Sequence, residues 1–486
     1  TDSTQLSDRQ SGYWNKSIIG APIRVSYDGQ PLDSYTTYYW KIGYQTSSKQ
    51  KTTFSPISSF TTGCLSPDDW KGKWITDIIY RSAPYYRKNF QLDKTIEQAL
   101  LTIASAGLHE LSINGKRAGN HFLDPMYTHF DKRILSVTHD VTSLLSLGEN
   151  VIGVQLGNGW YNHQSTAVWF FDKASWRNRP RFTAQLHLRF TDGTTEYLGT
   201  DSTWQTTDSP VIFNSIYTAE HYDAQKELAG WDSPGFNATG WYHAQETESP
   251  TETIKSQVMH PIRETARYTA TQCKKINDSC YVYHFPQNIA GVTELKVKGK
   301  KGTKLHLKHG ELLDKNGMVN MANIDYHYRP TDDSDPFQTD IVILSGKQDR
   351  FMPKFNYKGF QFVEVSSSAP IQLSDENLVA VEMHSDVPAI GYWSSSSELL
   401  NKIWKATNSS YLANLFGYPT DCPQREKNGW TGDAHIAIET GLYNFDGISI
   451  YEKWMNDFYD EQKGNGVLPC IIPTSVWGYD WANGVD

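Results

Sequence analysis

Over most of this chain, apolar and polar residues alternate with a period of two, in short runs broken by glycine-bearing turns. Successive side chains of a strand point to opposite faces, so such runs fold as half-buried strands rather than helices. ALLTIASAGLHELSINGKRAG alternates and then turns at Asn114-Gly115, a dipeptide that suits the tight turn of a hairpin. VIGVQLGNGWY and FTAQLHLRFTDGTTEY continue the pattern, the second turning at Asp192-Gly193. Near residue 395 the period changes. SSSELLNKIWKATNSSYLANLF places Leu400, Ile403, Trp404, Thr407 and Tyr411 on one helix face. Ser395 and Glu398 are spaced for its capping box. GDAHIAIETGLYNF and SIYEKWMNDFYDEQ read as two further helices.

These patterns divide the 486 residues into four units. Residues 1–66 are expected to form a partial fibronectin-type β domain, and 67–255 a jelly-roll β domain. Residues 256–388 read as a further β-sandwich, and 389–486 as the opening of a helical domain. No internal repeat is evident. With 38% hydrophobic and 20% charged residues, the chain can bury real cores. A mean hydropathy of -0.55 and the lack of any long apolar run exclude a membrane-spanning helix. The net charge of -9, without a basic stripe, argues against a nucleic-acid partner.

Five cysteines are too few and too odd for a disulfide framework. Cys273 and Cys280 flank a short polar loop, and a pairing across that hairpin is open to them. In GVTELKVKGKKGTKLHLKHGELL, two alternating runs are joined by a glycine-containing turn. His306 and His309 fall in the second run, but their odd spacing puts them on opposite faces of a strand. No metal site is assigned there.

The densest cluster of polar and aromatic residues is DCPQREKNGWTGDAH, between two helical patterns. It holds Asp421, Arg425, Glu426, Lys427, Trp430, Asp433 and His435. Glycoside hydrolysis needs one carboxyl protonated at neutral pH and others ionised around a sugar. A neighbouring carboxylate raises a Glu pKa and an Arg lowers it, so one loop can set its members apart. Structural readings stand beside this one. Asp433 also fits a helix N-cap, Arg425 an ion pair with Asp421, and Trp430 the core. The 16 Trp and 28 Tyr serve sandwich cores for the most part, with a few positions left as sugar platforms.

At this motif the chain resembles the bacterial α-L-rhamnosidases of glycoside hydrolase family 78. ASAGLHELSINGKRAG, FLDPMYTHFDKR, LGNGWYN and AEHYDAQKELAGWDSPGFNATGW resemble the N-terminal β domain of that family. HFPQNIAGVTELKVKGKKGTKLHLKHGELL and PKFNYKGFQFVEV resemble the β domain before its catalytic unit. The resemblance implies an (α/α)6 barrel, begun but not completed here, and an exo-acting enzyme that inverts the anomeric carbon. It implies Glu426 as general acid, Asp421 and Asp433 as holders of rhamnose hydroxyls, and Arg425 and Trp430 as further pocket residues. It implies a general base on a second Glu far downstream, for which no residue here corresponds. A further C-terminal segment is therefore expected to supply the base. The expected substrate is a rhamnose-containing glycan or glycoside, and the expected location periplasmic or secreted, with the signal peptide absent from this chain.

No cofactor is expected for the chemistry. In some relatives the N-terminal β domain binds rhamnose with a calcium ion. Trp160, Asn162, Asp172, Trp176 and Asn178 occupy the comparable stretch, without a recognisable calcium spacing, and a scaffold role is the leading expectation. Two other classes remain in view. One is a non-catalytic carbohydrate-binding protein with a degenerate helical domain. The other is a polysaccharide lyase, which needs a Tyr or His base where this motif is rich in carboxylates.

Overall fold

Asn114 and Gly115 carry φ angles of 52° and 78°. Two positive φ angles make the tight turn that folds Leu108–Ile113 back onto Lys116–Arg117. In the computed structural model, which describes residues 6, 13–20, 25–45, 52–165, 169–325 and 334–480, this hairpin is one edge of a six-stranded sheet. Tyr85–Leu92 and Gly148–Gly157 lie at its centre. A seven-stranded sheet built around Arg181–Phe190, Ile96–Ala106 and Ile134–Asp140 packs against it. Alternate residues from both close one core. Leu111, Ile113, Ile152 and Val154 meet Leu101, Ile103, Phe182 and Leu186. The period of two seen in the sequence is this inward face.

A ten-stranded sheet follows, with the long strand Cys280–Lys298 near its middle. Val211–Asn214 and Glu220–Asp223 join this sheet through Thr339–Ile343. The boundary drawn at residue 255 is therefore crossed, because these two short strands pair forward in the chain. Cys280–Lys298 and Lys304–Gly310 are not direct neighbours either. Lys358–Ser367 inserts between them and pairs with both. Ahead of the sandwich, Thr37–Trp40 pairs with Ser58–Thr61, and Gly43–Tyr44 with Thr53–Phe54.

Several local expectations are corrected. The cysteines are free thiols. Cys273 and Cys280 do share a hairpin, but Cys273 registers opposite Tyr283 and Cys280 opposite Asn277, so they never face each other. His309 is fully buried, between Thr293 Oγ1 at 3.0 Å and the Gln338 carbonyl at 3.1 Å.

Among the described residues, three α-helices follow the sheets: α1 (Glu398–Ala413), α2 (Thr431–Asn444) and α3 (Ile448–Glu461). Ser397, not Ser395, is the N-cap of α1, its side chain accepting from the Leu400 amide. The apolar stripe is buried only at its end. Tyr411 is buried and Trp404 half-buried, while Leu400 and Ile403 are 48% and 52% exposed. The reason is a narrow contact with α2. Trp404 Nε1 donates to Asn444 Oδ1 at 3.1 Å, and Tyr411 fills the space left by Gly441, where a Cβ would lie 2.2 Å from its hydroxyl. Ile436, Tyr443, Ile448 and Tyr459 are also more than half exposed on α2 and α3. Residues 481–486, the WANGVD run, lie outside the described residues.

α3 is fastened to the front sandwich by charge. Asp457 is fully buried, with Lys453 Nζ and Arg133 Nη2 each at 2.7 Å. Lys453 also donates to the Tyr127 carbonyl, and His129 Nδ1 lies 3.0 Å from Glu461 Oε1. Removing one member of a buried ion pair strands the others without compensation, at a cost of about 3–5 kcal/mol. Asp457→Ala should therefore lower stability by about that amount in urea unfolding followed by tryptophan fluorescence. A loss below ~1 kcal/mol would show that the cluster does not hold α3 to the sandwich.

Candidate active site

The loop from Tyr418 to Trp430 joins α1 to α2, and its shape is set from below by one cation. Lys427 is fully buried in a left-handed conformation, φ 61°. Its Nζ donates to the carbonyls of Ile216, Tyr217 and Tyr357, at 2.8, 3.2 and 2.5 Å. It also lies 4.5 Å from the centre of the Tyr357 ring. Burial pushes its pKa well down. The Tyr217 hydroxyl donates to the Arg425 carbonyl at 2.8 Å, and the Tyr418 hydroxyl to that of Lys427 at 2.9 Å. Gly429 passes so close to the next strand of chain that a Cβ there would lie 2.1 Å from the Ile472 carbonyl oxygen.

Held this way, the loop turns Glu426 into a pocket of tryptophans. Glu426 is 5% exposed. Its Oε2 accepts the indole N–H of Trp430 at 2.7 Å and that of Trp169 at 3.0 Å. Its Oε1 lies 3.8 Å from Arg425 Nε. Trp169 stacks on Trp477 with ring centres 4.1 Å apart and meets Trp430 edge-on at 5.7 Å. Ser475 Oγ donates to the Trp169 carbonyl at 2.5 Å, which fixes the backbone of that residue. Asp421 Oδ1 accepts from the Asn428 amide at 3.0 Å, and Cys422 Sγ lies 2.8 Å from Oδ2. Burial first, and the charge of Glu426 second, push the Asp421 carboxyl up to about 7. Asp433 stands in the first turn of α2, exposed at its edge, and is raised chiefly by burial.

Four family models cover most of the chain. They describe an immunoglobulin domain of the Rha78A N-terminal type over residues 6–66 and the α-L-rhamnosidase N-terminal domain over 94–266. The concanavalin-like domain of bacterial α-L-rhamnosidases matches 274–384, and their six-hairpin glycosidase domain 388–485. An α-L-rhamnosidase of Formosa agariphila is 30% identical over 97% of this chain and 53% of its own length. The structure of an α-L-rhamnosidase from Dictyoglumus thermophilum superposes with a TM-score of 0.87 at 33% identity, over 95% of this chain and 52% of that one. The chain belongs to the α-L-rhamnosidases of glycoside hydrolase family 78. An α-L-rhamnosidase of Streptomyces avermitilis, solved with L-rhamnose, superposes at 0.76 with 27% identity over 89% of this chain and 43% of that one. The chain thus spans about half the length of these rhamnosidases. Its first domain is of the immunoglobulin type, where a fibronectin-type sandwich was expected.

The loop brings Asp421, Arg425, Glu426 and Trp430 together, with Asp433 at the rim. The structural alternatives for three of them fall away. The N-cap of α2 is Trp430, so Asp433 is no cap. Arg425 faces Glu426 rather than Asp421. Trp430 is half-buried and spends its N–H on Glu426. Lys427 is an anchor, and His435 is exposed on α2. Trp169 and Trp477 escaped the sequence reading, since nothing local marks either as a neighbour of Glu426. Trp160 and Trp176, weighed as sugar platforms, are 6% and 3% exposed and belong to a core with Tyr127 and Phe171. Neither offers a ring face to a sugar.

The raised Asp421 carboxyl gives a signed expectation. It binds its proton more tightly folded than unfolded, so the folded state loses relative stability as pH rises from about 4 to about 7. Asp421→Asn removes that dependence. Its Tm relative to wild type should therefore be higher at pH 8 than at pH 4.5. A difference that stays constant or runs the other way would place the Asp421 carboxyl at its ordinary pKa.

Proposed function

We propose that this chain carries the proton-donating side of an exo-acting α-L-rhamnosidase site, with Glu426 as general acid. The observation that carries this is the buried, fixed seat of its carboxyl. Oε2 is occupied by two indole N–H donors. A fixed carboxyl with one protonated oxygen is what departure of a glycosidic oxygen requires. The three tryptophans restrict water around it and offer apolar faces to the C–H side of a pyranose. Asp421 and Asp433 accept hydrogen bonds from sugar hydroxyls, and Arg425 and Trp430 complete the wall. The S. avermitilis relative, solved with L-rhamnose, supports terminal α-L-rhamnose as the substrate.

Inversion fits the same reading. It needs a second carboxylate on the opposite face of the sugar, about 6.5–9.5 Å from the acid, to activate water. That group is separate from the residues described above. We further infer that α1, α2 and α3 open an (α/α)6 barrel. The six-hairpin match over residues 388–485 supports this, as do the apolar side chains left exposed on all three helices.

Glu426→Gln should lower kcat about 10²–10⁴-fold on a rhamnoside with a poor leaving group, and far less on an aryl rhamnoside with a good one. Equal, small losses on both substrates would remove Glu426 from the role. Asp421→Asn and Asp433→Asn should each weaken rhamnose binding by roughly 1–3 kcal/mol in calorimetry. Wild-type affinity in both would make them structural residues.

A further inference from the structure

Two histidines and an aspartate converge in the front sandwich, far in sequence from the rhamnosidase loop. His109 lies on Leu108–Ile113 of the six-stranded sheet, and His139 on Ile134–Asp140 of the seven-stranded sheet. Asp124 comes from the connection between those strands and is bridged to His109 through its backbone, the His109 amide donating to the Asp124 carbonyl at 2.8 Å. All three are buried, and one ligand atom from each lies within 4.8 Å of the others.

The surroundings are those of ligands held ready. His109 Nδ1 is 2.8 Å from Ser105 Oγ, which fixes the ring, while its buried Nε2 has no hydrogen-bond partner. Leaving such a nitrogen bare costs about 1–3 kcal/mol. Asp124 Oδ1 accepts from Gln257 Nε2 at 2.8 Å, and Oδ2 lies 3.0 Å from His121 Nδ1. Partners of this kind orient metal-binding imidazoles and carboxylates. Glu110 and Arg117, on the wall of the same small cavity, pair with each other at 2.6 Å. Arg117 is thereby engaged by Glu110 and not by Asp124.

We propose that His109, Asp124 and His139 bind a divalent metal ion of the zinc class, cross-linking the two sheets of the front sandwich. Two nitrogens and one carboxylate oxygen suit zinc, whereas calcium and magnesium take oxygen ligands. Bonds of about 2.0–2.1 Å in a tetrahedron put ligand atoms about 3.4 Å apart, so the side chains close by roughly 1.4 Å at most on binding. The fourth position falls to water or to His121, whose ring centre is 5.4 Å from that of His139 and whose side chain is 22% exposed. The ion is structural here, and its binding free energy adds to folding.

The test uses the whole chain, stripped with EDTA and dialysed against zinc sulfate. Elemental analysis should find one zinc per chain, held at a Kd of about 1 μM or tighter. His109→Gln and His139→Gln should each weaken binding by at least ~10-fold, with folding checked by circular dichroism. Zinc should raise the Tm of wild type and leave that of His139→Gln unmoved. Cobalt(II) on the wild-type chain should show the intense visible bands of a four- or five-coordinate ion, a readout that stands even where a variant misfolds. Absence of stoichiometric zinc, equal zinc retention by both folded variants, or a cobalt spectrum identical to the aqueous ion would each overturn the proposal.

Discussion

The site hangs on a buried ammonium. Lys427 has no carboxylate among its closest partners; three backbone carbonyls from two connections between β-strands take its three N–H bonds instead. An ammonium is costly to take from water, and a full set of acceptors is what makes the burial tolerable. Because the acceptors belong to Ile216, Tyr217 and Tyr357, the loop between α1 and α2 is registered against the β units rather than against its own helices. Glu426 is the next residue before this anchor, so its direction is inherited from that registration. Asp421, one turn of loop away, is tied through the Asn428 amide just beyond it.

A second fastening, of different character, works further along. Around Asp457 the chain opposes one carboxylate with Lys453 and Arg133, and Arg133 reaches Asp460 as well. Here the partners are side chains from α3 and from the front sandwich, so the contact depends on all of them being charged. The carboxyl of Asp457 is still pushed up to about 6, burial outweighing both cations. The backbone-anchored loop and the charge-anchored helix thus respond differently to their surroundings. The second, an arrangement of ion pairs, is the one that added salt weakens most directly.

Much of this was legible in the sequence, and the limits have a physical form. Strand period fixes which face a residue takes, so the core of Leu111, Ile113, Leu101 and Ile103 could be read directly. It does not fix which strand lies alongside, and so the insertion of Lys358–Ser367 between two consecutive strands was invisible. The DCPQREKNGWTGD loop announced itself because its polar residues are crowded within a few positions. Trp169 did not, since it reaches Glu426 from 257 residues away and sits in an unremarkable aromatic run. The trio of His109, Asp124 and His139 escaped for the same reason, each standing singly in its own stretch. Helix spacing found α1 correctly but not its buried edge, because the edge is chosen by Gly441 and Tyr411 across the interface.

Trp169 belongs to a segment of the front β unit, yet it donates to the carboxylate at the heart of the helical one. The two regions are therefore not interchangeable cassettes. A chimera joining the helical part to the β front of a distant relative would inherit Glu426 with one of its two indole donors supplied by a foreign loop. Sequence drift in the stretch around residue 169 is then constrained by a partner in another domain. Recombination within this family should be tolerated at breakpoints that keep both regions from one parent.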